Sequence, residues 1–469
     1  MSRTASMTPN RSVRVVSRSV LIPHVVRRCS LVPLLLFCLV GLVWQVHHRY
    51  EKQILLVDIQ SQPTFMPIDK TNETFAVSAF LGVDKLWVRI FVFKKTTANP
   101  LVYCYYADAT LGLRFGTPVS NTMETFAVRG QKFGFKSLVE NTGLYRGYVI
   151  FCKLNETYLR AVLEGRLAVA LHLGITSSKP PVFLPIQVAF VQDYQKQDFI
   201  NTVGLCTMPL VKTDELIQSA LVEYIELQRL LGVKLIMFYV TDPKEEVLGQ
   251  VLKSYQDRPS LGIDKNDFKV QVISWQLPVG NLGKSTWYHD PILSYNDCIY
   301  RIAPHTEYIF HAGFDEIFVP TTFNNKSTLG KWSSVIAVAQ EGIYATKSVS
   351  CFPTRYFLPP QIGSDHSNGV SMYQRVKALR HVVTDRKKCL VQAGLAREVY
   401  LYWPVKPRSF NLLKLYGVVF NYGVCMETEI AECKRKSNTV QIKDLLPYLA
   451  QIQYTVSQRL RFIESGSVV

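Results

Sequence analysis

The sequence predicts an α/β protein that has a membrane helix near its N-terminus and a β-rich module before a larger mixed domain. Three observations predict this: an uncharged apolar run between residues 29 and 46, strand-like runs between residues 75 and 173, and alternating strand and helix patterns from residue 203 onward. The 469 residues suffice for two or three domains. A hydrophobic content of 48% with 19% charged residues is typical of a folded protein.

The uncharged run begins at Cys29, ends at Val46 and would span about 27 Å as a helix. Six arginines precede it and the charges just after it nearly cancel, so the positive-inside rule places the N-terminus in the cytoplasm. A cleaved signal peptide is the alternative, but its basic region would be unusually long and no small-residue cleavage site follows. We therefore expect a single-pass type II protein. Its short span favours Golgi membranes.

The predicted order of parts is a basic cytoplasmic tail at 1–28, a signal anchor at 29–46 and a stem at 47–70. A β-sandwich-like module at 71–195 and a mixed domain at 196–469 follow. The net charge is +17, but seven of these charges lie in the first 50 residues, and no basic stripe with interleaved aromatics follows them. A nucleic-acid partner is therefore not expected.

Eight cysteines follow the predicted anchor, an even number compatible with disulfides in an oxidising lumen. No Cys-x-x-Cys pair points to zinc or redox chemistry. Glycosylation sequons at Asn72, Asn155 and Asn325 lie on the same predicted side, whereas the sequon at Asn10 should remain unmodified.

The predicted β-rich module contains runs rich in Val, Phe and Tyr that are separated by Gly, Asn and Asp. These runs are residues 75–81, 86–93, 101–106, 147–154 and 167–173. Because Cys104 and Cys152 fall on two of the runs, a cross-strand disulfide between them is plausible.

The mixed domain is predicted from strands at 203–208, 234–240, 268–274 and 308–311, with helices at 214–231, from 242 onward, and at 292–303. Such alternation implies a parallel sheet with right-handed crossovers. Ligands bind such sheets at the carboxyl ends of the strands. Cys206, Pro209 and Asp242 follow or end these strands, so they are candidate substrate-binding residues. No Gly-x-Gly-x-x-Gly or Walker loop occurs.

Two adjacent carboxylates, Asp315 and Glu316, interrupt apolar segments at the end of the last of these strands. Charges there are costly to bury unless they are paired or bound to metal. A carboxylate facing a cleft can hold a hard divalent ion against a diphosphate. The alternative is a solvated turn between two strands.

Asp297 and Arg301 are four residues apart on a predicted helix. One interpretation is a helix-surface ion pair worth a few tenths of a kcal/mol. The other is that they lock the helix under a ligand site, or that Arg301 contacts phosphate.

Several short motifs in this order resemble glycosyltransferase family 92, over roughly residues 75–465. These motifs are Ser78-Ala79-Phe80, Leu101-Val102-Tyr103-Cys104, Leu205-Cys206-Thr207-Met208-Pro209-Leu210, Leu221-Val222-Glu223-Tyr224-Ile225-Glu226, Leu231-Gly232-Val233, Asn296-Asp297-Cys298-Ile299-Tyr300-Arg301 and Phe314-Asp315-Glu316 before Val319-Pro320.

The resemblance implies a GT-A-like domain that transfers galactose from UDP-galactose to a glycan or glycoprotein acceptor, with Mn²⁺ and with inversion at the anomeric carbon. It implies that Asp315 is the metal ligand and that Glu316 orients metal-bound water or the acceptor. Asp297 and Arg301 carry over with the helix motif as catalytic candidates, while the acceptor base is not identified.

Two positions depart from the family pattern. Gly313 replaces the first Asp of an Asp-x-Asp-Glu motif, and it remains a candidate substrate-binding position. Asn421 replaces a His that precedes a late cysteine, and an amide oxygen is a poorer transition-metal ligand than imidazole. Two hypotheses therefore stand: an active, metal-dependent transferase, or a catalytically impaired relative that binds glycans or stabilises a partner at the membrane.

Overall fold

A computed structural model of the chain describes residues 65–465 with gaps, and residues 1–64 and 466–469 lie outside it. The longest gaps are 109–120, 126–144, 191–200, 258–267, 279–288, 321–330, 359–376 and 423–438. The described elements all belong to one compact unit, Gln62–Val469.

The first sheet has eight strands, and its runs of apolar residues match those that the sequence predicts. Its strands are β1 (Met66–Pro67), β2 (Thr74–Leu81), β3 (Trp87–Lys95), β4 (Val102–Asp108), β5 (Asn121–Thr125), β6 (Tyr145–Lys153), β7 (Leu167–Leu173) and β8 (Val182–Val188), with helix α1 (Glu156–Leu163) between β6 and β7. The order is β4-β7-β8-β2-β3-β6-β5, with β1 beside β2. Only the β2–β8 pair in this sheet is parallel.

This first sheet curls so that β4, at one end of the order, faces β6, near the other end. The expected disulfide between Cys104 and Cys152 joins the two strands. The hydroxyl of Tyr106 donates to the carbonyl oxygens of Cys152 and Lys153, at 3.2 and 3.1 Å. The curl encloses a separate apolar core between the two ends.

The second sheet has nine strands. In chain order its region contains β9 (Val203–Thr207), α2 (Leu216–Leu230), β10 (Val233–Val240), α3 (Glu246–Asp257), β11 (Lys269–Ser274), α4 (His289–Ile302), β12 (Tyr308–Ala312), β13 (Glu316–Pro320), α5 (Trp332–Ala339), β14 (Val349–Tyr356), β15 (Lys377–Leu379), β16 (Val383–Gln392), β17 (Glu398–Val399), β18 (Pro404–Lys406), β19 (Asn411–Leu412), β20 (Gly417–Asn421), β21 (Thr439–Gln441) and α6 (Leu449–Glu464). The order is β11-β10-β9-β12-β16-β14-β20-β13, with β19 beside β14.

The predicted parallel block is confirmed, because β9 pairs in parallel with both β10 and β12, and β10 with β11. Helix α2 ends at Gly232, whose φ of +89° is the left-handed conformation that glycine adopts at helix ends. The alternation of strands and helices therefore builds the half of the sheet on which the candidate site depends.

The second half of this sheet folds back on the first. Four strand spacings of about 4.8 Å would put β12 and β13 roughly 19 Å apart in a flat sheet. The three residues between Ala312 and Glu316 reach at most about 14 Å, so the sheet must curl. Accordingly, the rings of Phe310 on β12 and Phe318 on β13 lie 5.9 Å apart, and both pack on Trp332.

Helix α4 lies between the two sheets. The ring of Tyr300 on this helix lies 5.5 Å from Phe80 and 5.4 Å from Phe91, both on the first sheet. A disulfide joins Cys298 on its other side to Cys206 on β9. One apolar cluster thus includes residues of both sheets.

Among the described residues, no helix is long and apolar enough to cross a membrane. The predicted anchor from Cys29 to Val46 lies outside those residues, as do the sequons at Asn72, Asn155 and Asn325. Its presence and the domain boundaries therefore stay predictions.

Candidate functional site

The predicted acidic motif forms a tight turn between β12 and β13. The amide of Glu316 donates to the carbonyl of Gly313 at 3.1 Å, and the amide of Gly313 donates to Oε2 of Glu316 at 2.6 Å. The amide of Tyr422 donates to the carbonyl of Asp315 at 2.9 Å. Hydrogen bonds from both sides therefore fix the turn at the carboxyl end of β12.

Gly313 makes room for the carboxylates of this turn. A Cβ atom at position 313 would lie 2.6 Å from Oδ1 of Asp315, 3.3 Å from Oε2 of Glu316 and 3.4 Å from Sδ of Met208. The carboxylate of Asp315 therefore occupies the space that a side chain at 313 would need. Met208 follows β9, so the ends of β9 and β12 meet at one rim, as the parallel sheet predicts.

Glu316 is buried and uses both of its carboxylate oxygens. The ammonium of Lys388 lies 2.8 Å from Oε2, and these side chains are only 3% and 7% exposed for Lys388 and Glu316. Nδ2 of Asn421 donates to Oε1 at 3.1 Å across the β13–β20 pair. Together with the amide of Gly313, three donors converge on this carboxylate, which fits a positioning role.

Asp315 is half-buried beside this group. Burial, followed by the charge of Glu316, raises the pKa of its carboxyl to about 6, whereas a backbone hydrogen bond and Lys388 oppose the shift. The solvated turn that the sequence left open is therefore not what forms. A carboxylate of this kind can accept hydrogen bonds from hydroxyl groups of a ligand.

Two tyrosines and an arginine complete the surroundings. Burial, followed by the charges of Glu316 and Asp315, raises the pKa of Tyr224 well above its usual range. Burial raises the pKa of Tyr356 to about 12, against the charge and hydrogen bond of Arg386. Both hydroxyls therefore stay protonated, and Arg386 belongs to the neighbourhood of the acidic turn.

Asp297 and Arg301 lie on helix α4, away from the acidic turn. Asp297 is fully buried and accepts hydrogen bonds from Ser78, from Tyr239 at 2.6 Å and from Arg301 at 2.5 Å. Because Ser78 is on β2, this carboxylate ties α4 to both sheets. The surface ion pair is therefore wrong, the locking interpretation fits, and among the described residues neither side chain contacts Asp315. A catalytic role for the pair stays a prediction.

The other predicted rim residues are only partly brought together. Cys206 is buried and bonded to Cys298, so its sulfur serves the fold and no substrate can contact it. Pro209 is half-buried and directly follows Met208 at the rim. Asp242 lies outside the described residues.

The described residues around Asp315 do not by themselves fit a divalent transition metal. In the described part of the chain, no three side chains of His, Cys, Asp or Glu lie close enough together to hold an ion. The oxygens of Glu316 accept from an ammonium, an amide side chain and a backbone amide. Asp315 alone remains as a charged donor, whereas stable sites supply several.

Lys388 and Arg386 were not found from the sequence. The sequence signal that could have identified them is the run Arg386-Lys387-Lys388 directly before the buried Cys389, because basic residues rarely enter an apolar strand without a partner. Their partners are Glu316 for Lys388 and Tyr356 for Arg386, which are 72 and 30 residues away in the chain, so no local pattern identified them.

One comparison with known proteins covers the part of the chain that contains this site. The model of the family "Glycosyltransferase family 92" matches residues 201–422, which include Cys206, Asp297, Asp315 and Asn421. No curated protein matches the chain. One similar solved structure, UDP-glucose pyrophosphorylase from acinetobacter baumanii, has 10% identity and a TM-score of 0.24, and covers 50% of this chain and 92% of its own. That likeness carries no conclusion here.

The family match confirms the resemblance drawn from the sequence motifs, and it indicates a glycosyltransferase with a sugar donor and a glycan acceptor in general. Residues 201–422 of this chain match the model of glycosyltransferase family 92.

Proposed function

We propose that this chain transfers a hexose, with galactose from UDP-galactose as the candidate donor, to a glycan or glycoprotein acceptor with inversion at the anomeric carbon. The observation that carries the proposal is the position of Asp315 within the matched family range. Its half-buried carboxylate lies at the carboxyl end of parallel strands, where ligands of open α/β sheets bind.

The chain's own residues serve binding and orientation in this proposal. Asp315 accepts hydrogen bonds from hydroxyls of the donor, and the turn from Gly313 to Glu316 holds it in place. Inversion requires a base that removes the proton of the acceptor hydroxyl as the diphosphate leaves. The sequence does not identify this base: Asp365, His366 and Asp385 lie in the appropriate half of the domain, but each is more typical of a plain surface residue, and their side chains lie outside the described residues.

The resemblance also implies Mn²⁺, which would neutralise charge on the departing diphosphate when bound. Asp315 and the amide oxygen of Asn421 were the expected ligands. This requirement stays a prediction, and Asn421 offers it poor support because a neutral amide oxygen is a weaker transition-metal ligand than imidazole.

The proposed location is the Golgi membrane, with a single pass and a luminal C-terminal domain. Disulfides support an oxidising compartment. Three are present among the described cysteines, at Cys104–Cys152, Cys206–Cys298 and Cys351–Cys389. Glycans on Asn72, Asn155 and Asn325 with none on Asn10 would support this topology, and the reverse pattern would contradict it.

A second candidate is a catalytically impaired relative that binds glycans or stabilises a partner. The observation that favours it is that Gly313 and Asn421 stand where the family pattern has an Asp and a His. Such a protein would bind a nucleotide sugar, or none, without turning it over.

The test is a screen of nucleotide sugars with the purified full-length chain, measuring UDP release with and without glycan acceptors. Asp315→Asn should lower the rate by about 100-fold, as loss of a polar contact to the reacting region does. Equal rates for Asp315→Asn and the parent would contradict the assignment of Asp315. No turnover of any donor would favour the impaired relative.

A further inference from the structure

A small cavity lies where the first sheet, helix α4 and the turn after β16 meet. Gly82, Val83 and Arg89 line it from the first sheet, Tyr300 lines it from α4, and Gly394 lines it from the turn. The cavity has room for a hydroxyl group but not for a whole sugar ring. A larger ligand would therefore rest on its mouth and send one group inside.

The cavity and the acidic turn lie at opposite ends of β12. Gln392 on β16 pairs with Tyr308, the first residue of β12, and Gly394 follows two residues later. The acidic turn begins at Gly313, directly after the last residue of β12. A strand of five residues spans about 13 Å, so the cavity is a separate site.

A buried ion pair forms the floor of the cavity. Nη2 of Arg89 contacts Oδ2 of Asp84, and Nη1 lies 3.5 Å from Oδ1. The guanidinium carbon lies 5.7 Å from the ring centres of both Phe151 and Tyr300, and these contacts fix its orientation. The contacts with Asp84 use two of the five guanidinium N–H donors. The floor is therefore rigid, neutral overall and able to donate further hydrogen bonds.

Two glycines shape the cavity and its mouth. A Cβ atom at Gly82 would clash with Nη1 of Arg89, so this glycine makes room for the guanidinium. Gly394 has a φ of +78°, and a Cβ atom there would lie 2.9 Å from Cγ2 of Val83. Val83 and Leu395, which lie beside this contact, are 45% and 48% exposed. The mouth of the cavity is therefore apolar.

A neutral, hydrogen-bonding floor beneath an apolar mouth matches the chemistry of a sugar ring. The hydroxyl oxygens of a sugar accept hydrogen bonds from a guanidinium, and the C–H groups of its ring pack against apolar side chains. An anion gains little at this floor, because Asp84 already balances the charge of Arg89.

We infer that this cavity binds a neutral sugar residue of a glycan, with one hydroxyl on Arg89 and the ring against Val83 and Leu395. Such binding requires neither the acidic turn nor turnover of a donor. The inference therefore goes beyond the proposed function and describes a second site on the chain.

The experiment measures binding of methyl glycosides to the purified full-length chain by saturation-transfer NMR, in a detergent without a sugar head group. The probes are the methyl glycosides of galactose, glucose and mannose, and those of the three corresponding uronic acids. At least one neutral probe should bind, and it should bind more tightly than its uronic acid.

Asp84→Asn should reverse that preference. Asparagine keeps the shape of the side chain but leaves the charge of Arg89 unbalanced, so the carboxylate of a uronic acid gains a charge-assisted hydrogen bond. The ratio of the two dissociation constants should shift by about tenfold toward the acid. A substitution that merely loosened the fold would weaken both probes alike.

The matched control is Glu73→Gln, which replaces the carboxylate of another ion pair in the same sheet. Oε1 of Glu73 lies 2.6 Å from the ammonium of Lys95. Lys95 and Arg89 are six residues apart on β3, which is roughly 20 Å along the strand. This variant should leave the ratio of dissociation constants unchanged, and an equal shift in it would contradict the inference.

A second variant serves if Asp84→Asn does not fold, as judged by circular dichroism. Val83→Ser with Leu395→Ser removes the apolar mouth at exposed positions and should weaken the neutral probe by about fivefold. No binding of any neutral probe, an unchanged ratio in folded Asp84→Asn, or parent-like binding by the serine variant would overturn the inference. Each of these results leaves the proposed transfer reaction standing, because UDP release tests that reaction separately.

Discussion

The ammonium of Lys388 lies 2.8 Å from the carboxylate of Glu316, and both side chains are almost completely buried. The two residues come from β16 and β13, which are separated in the second sheet by β14 and β20. The ion pair therefore joins two parts of the folded-back sheet directly behind Asp315.

Removing one partner of this pair should destabilise the fold. Lys388→Met leaves the carboxylate of Glu316 buried without its counter-charge, which costs about 3–5 kcal/mol of unfolding free energy. Lys388→Met with Glu316→Gln should recover most of that loss, because glutamine still accepts from the amide of Gly313. Urea unfolding of the parent, the single and the double variants measures both effects. A double variant as unstable as Lys388→Met alone would contradict the ion-pair explanation.

Asp315→Asn should stabilise the protein at neutral pH while it lowers activity. The pKa of Asp315 is raised to about 6 from 3.8, so the folded state holds its proton more tightly than the unfolded state. Stability from this group is present below pH 4 and is lost as the pH rises through 6. Asparagine cannot ionise and avoids a cost on the order of 2 kcal/mol at pH 7.5.

The measurement for Asp315→Asn is the difference in unfolding free energy between variant and parent at pH 5 and at pH 7.5. The difference should be larger at pH 7.5, since only the parent becomes charged. A difference that does not change with pH would show that the carboxyl titrates normally. Titrating groups that do not interact with Asp315 contribute equally in both proteins, so their contributions cancel.

Gly313→Ala should change activity more than stability. Its new Cβ would meet Oδ1 of Asp315 at 2.6 Å, and that oxygen is the end of a side chain that can rotate away. Unfolding free energy should change by less than about 1 kcal/mol, whereas UDP release should fall because Asp315 leaves its position.

Gly204→Ala is the matched control for that substitution. Its Cβ would meet Cγ2 of Ile302 at 2.4 Å and Oγ1 of Thr306 at 2.9 Å, inside the core. Overpacking there should cost about 1–3 kcal/mol. Thermal unfolding should therefore show the larger loss of stability for Gly204→Ala, and rates of UDP release should show the larger loss for Gly313→Ala. Equal losses in the two variants would contradict the account of Gly313.

Asp297→Ala should lower stability and leave the chemistry of the folded protein unchanged. It would strand the guanidinium of Arg301, which is 10% exposed, at a cost of about 3–5 kcal/mol. Asp297→Asn keeps acceptors for Ser78 and Tyr239 and should cost less. A loss of kcat in a fully folded Asp297→Asn protein would instead support the catalytic role that the family resemblance implies.

The parts of the fold that depend on neighbouring residues were predictable from the sequence. The period of α2 and the apolar runs of β9, β10 and β12 are properties of short segments, and these elements form within a few residues of the expected positions. Gly232 at the end of α2 was equally predictable, because glycine adopts the conformation that ends helices.

The parts that depend on distant pairing were not predictable. Helix α6 carries Arg459, which is buried against Glu226 on α2 and stacks 4.0 Å over Tyr255 on α3, more than 200 residues earlier. The sequence analysis identified Asn421 as a departure from the family, but its hydrogen bond to Glu316 arises only when β20 pairs with β13. The role of a charged or polar side chain within a strand therefore depends on partners that only the folded structure brings close.

Helix α4 has a consequence for how the molecule can be divided. Its apolar side chains, Tyr300 among them, are covered by Phe80 and Phe91 of the first sheet, while Cys298 fastens it to the second. A fragment that begins near residue 196 would lack Phe80 and Phe91. The apolar side chains of α4 would then be exposed to water. The β-rich segment thus covers part of the protein's apolar interior, and on heating both sheets should melt in one cooperative step.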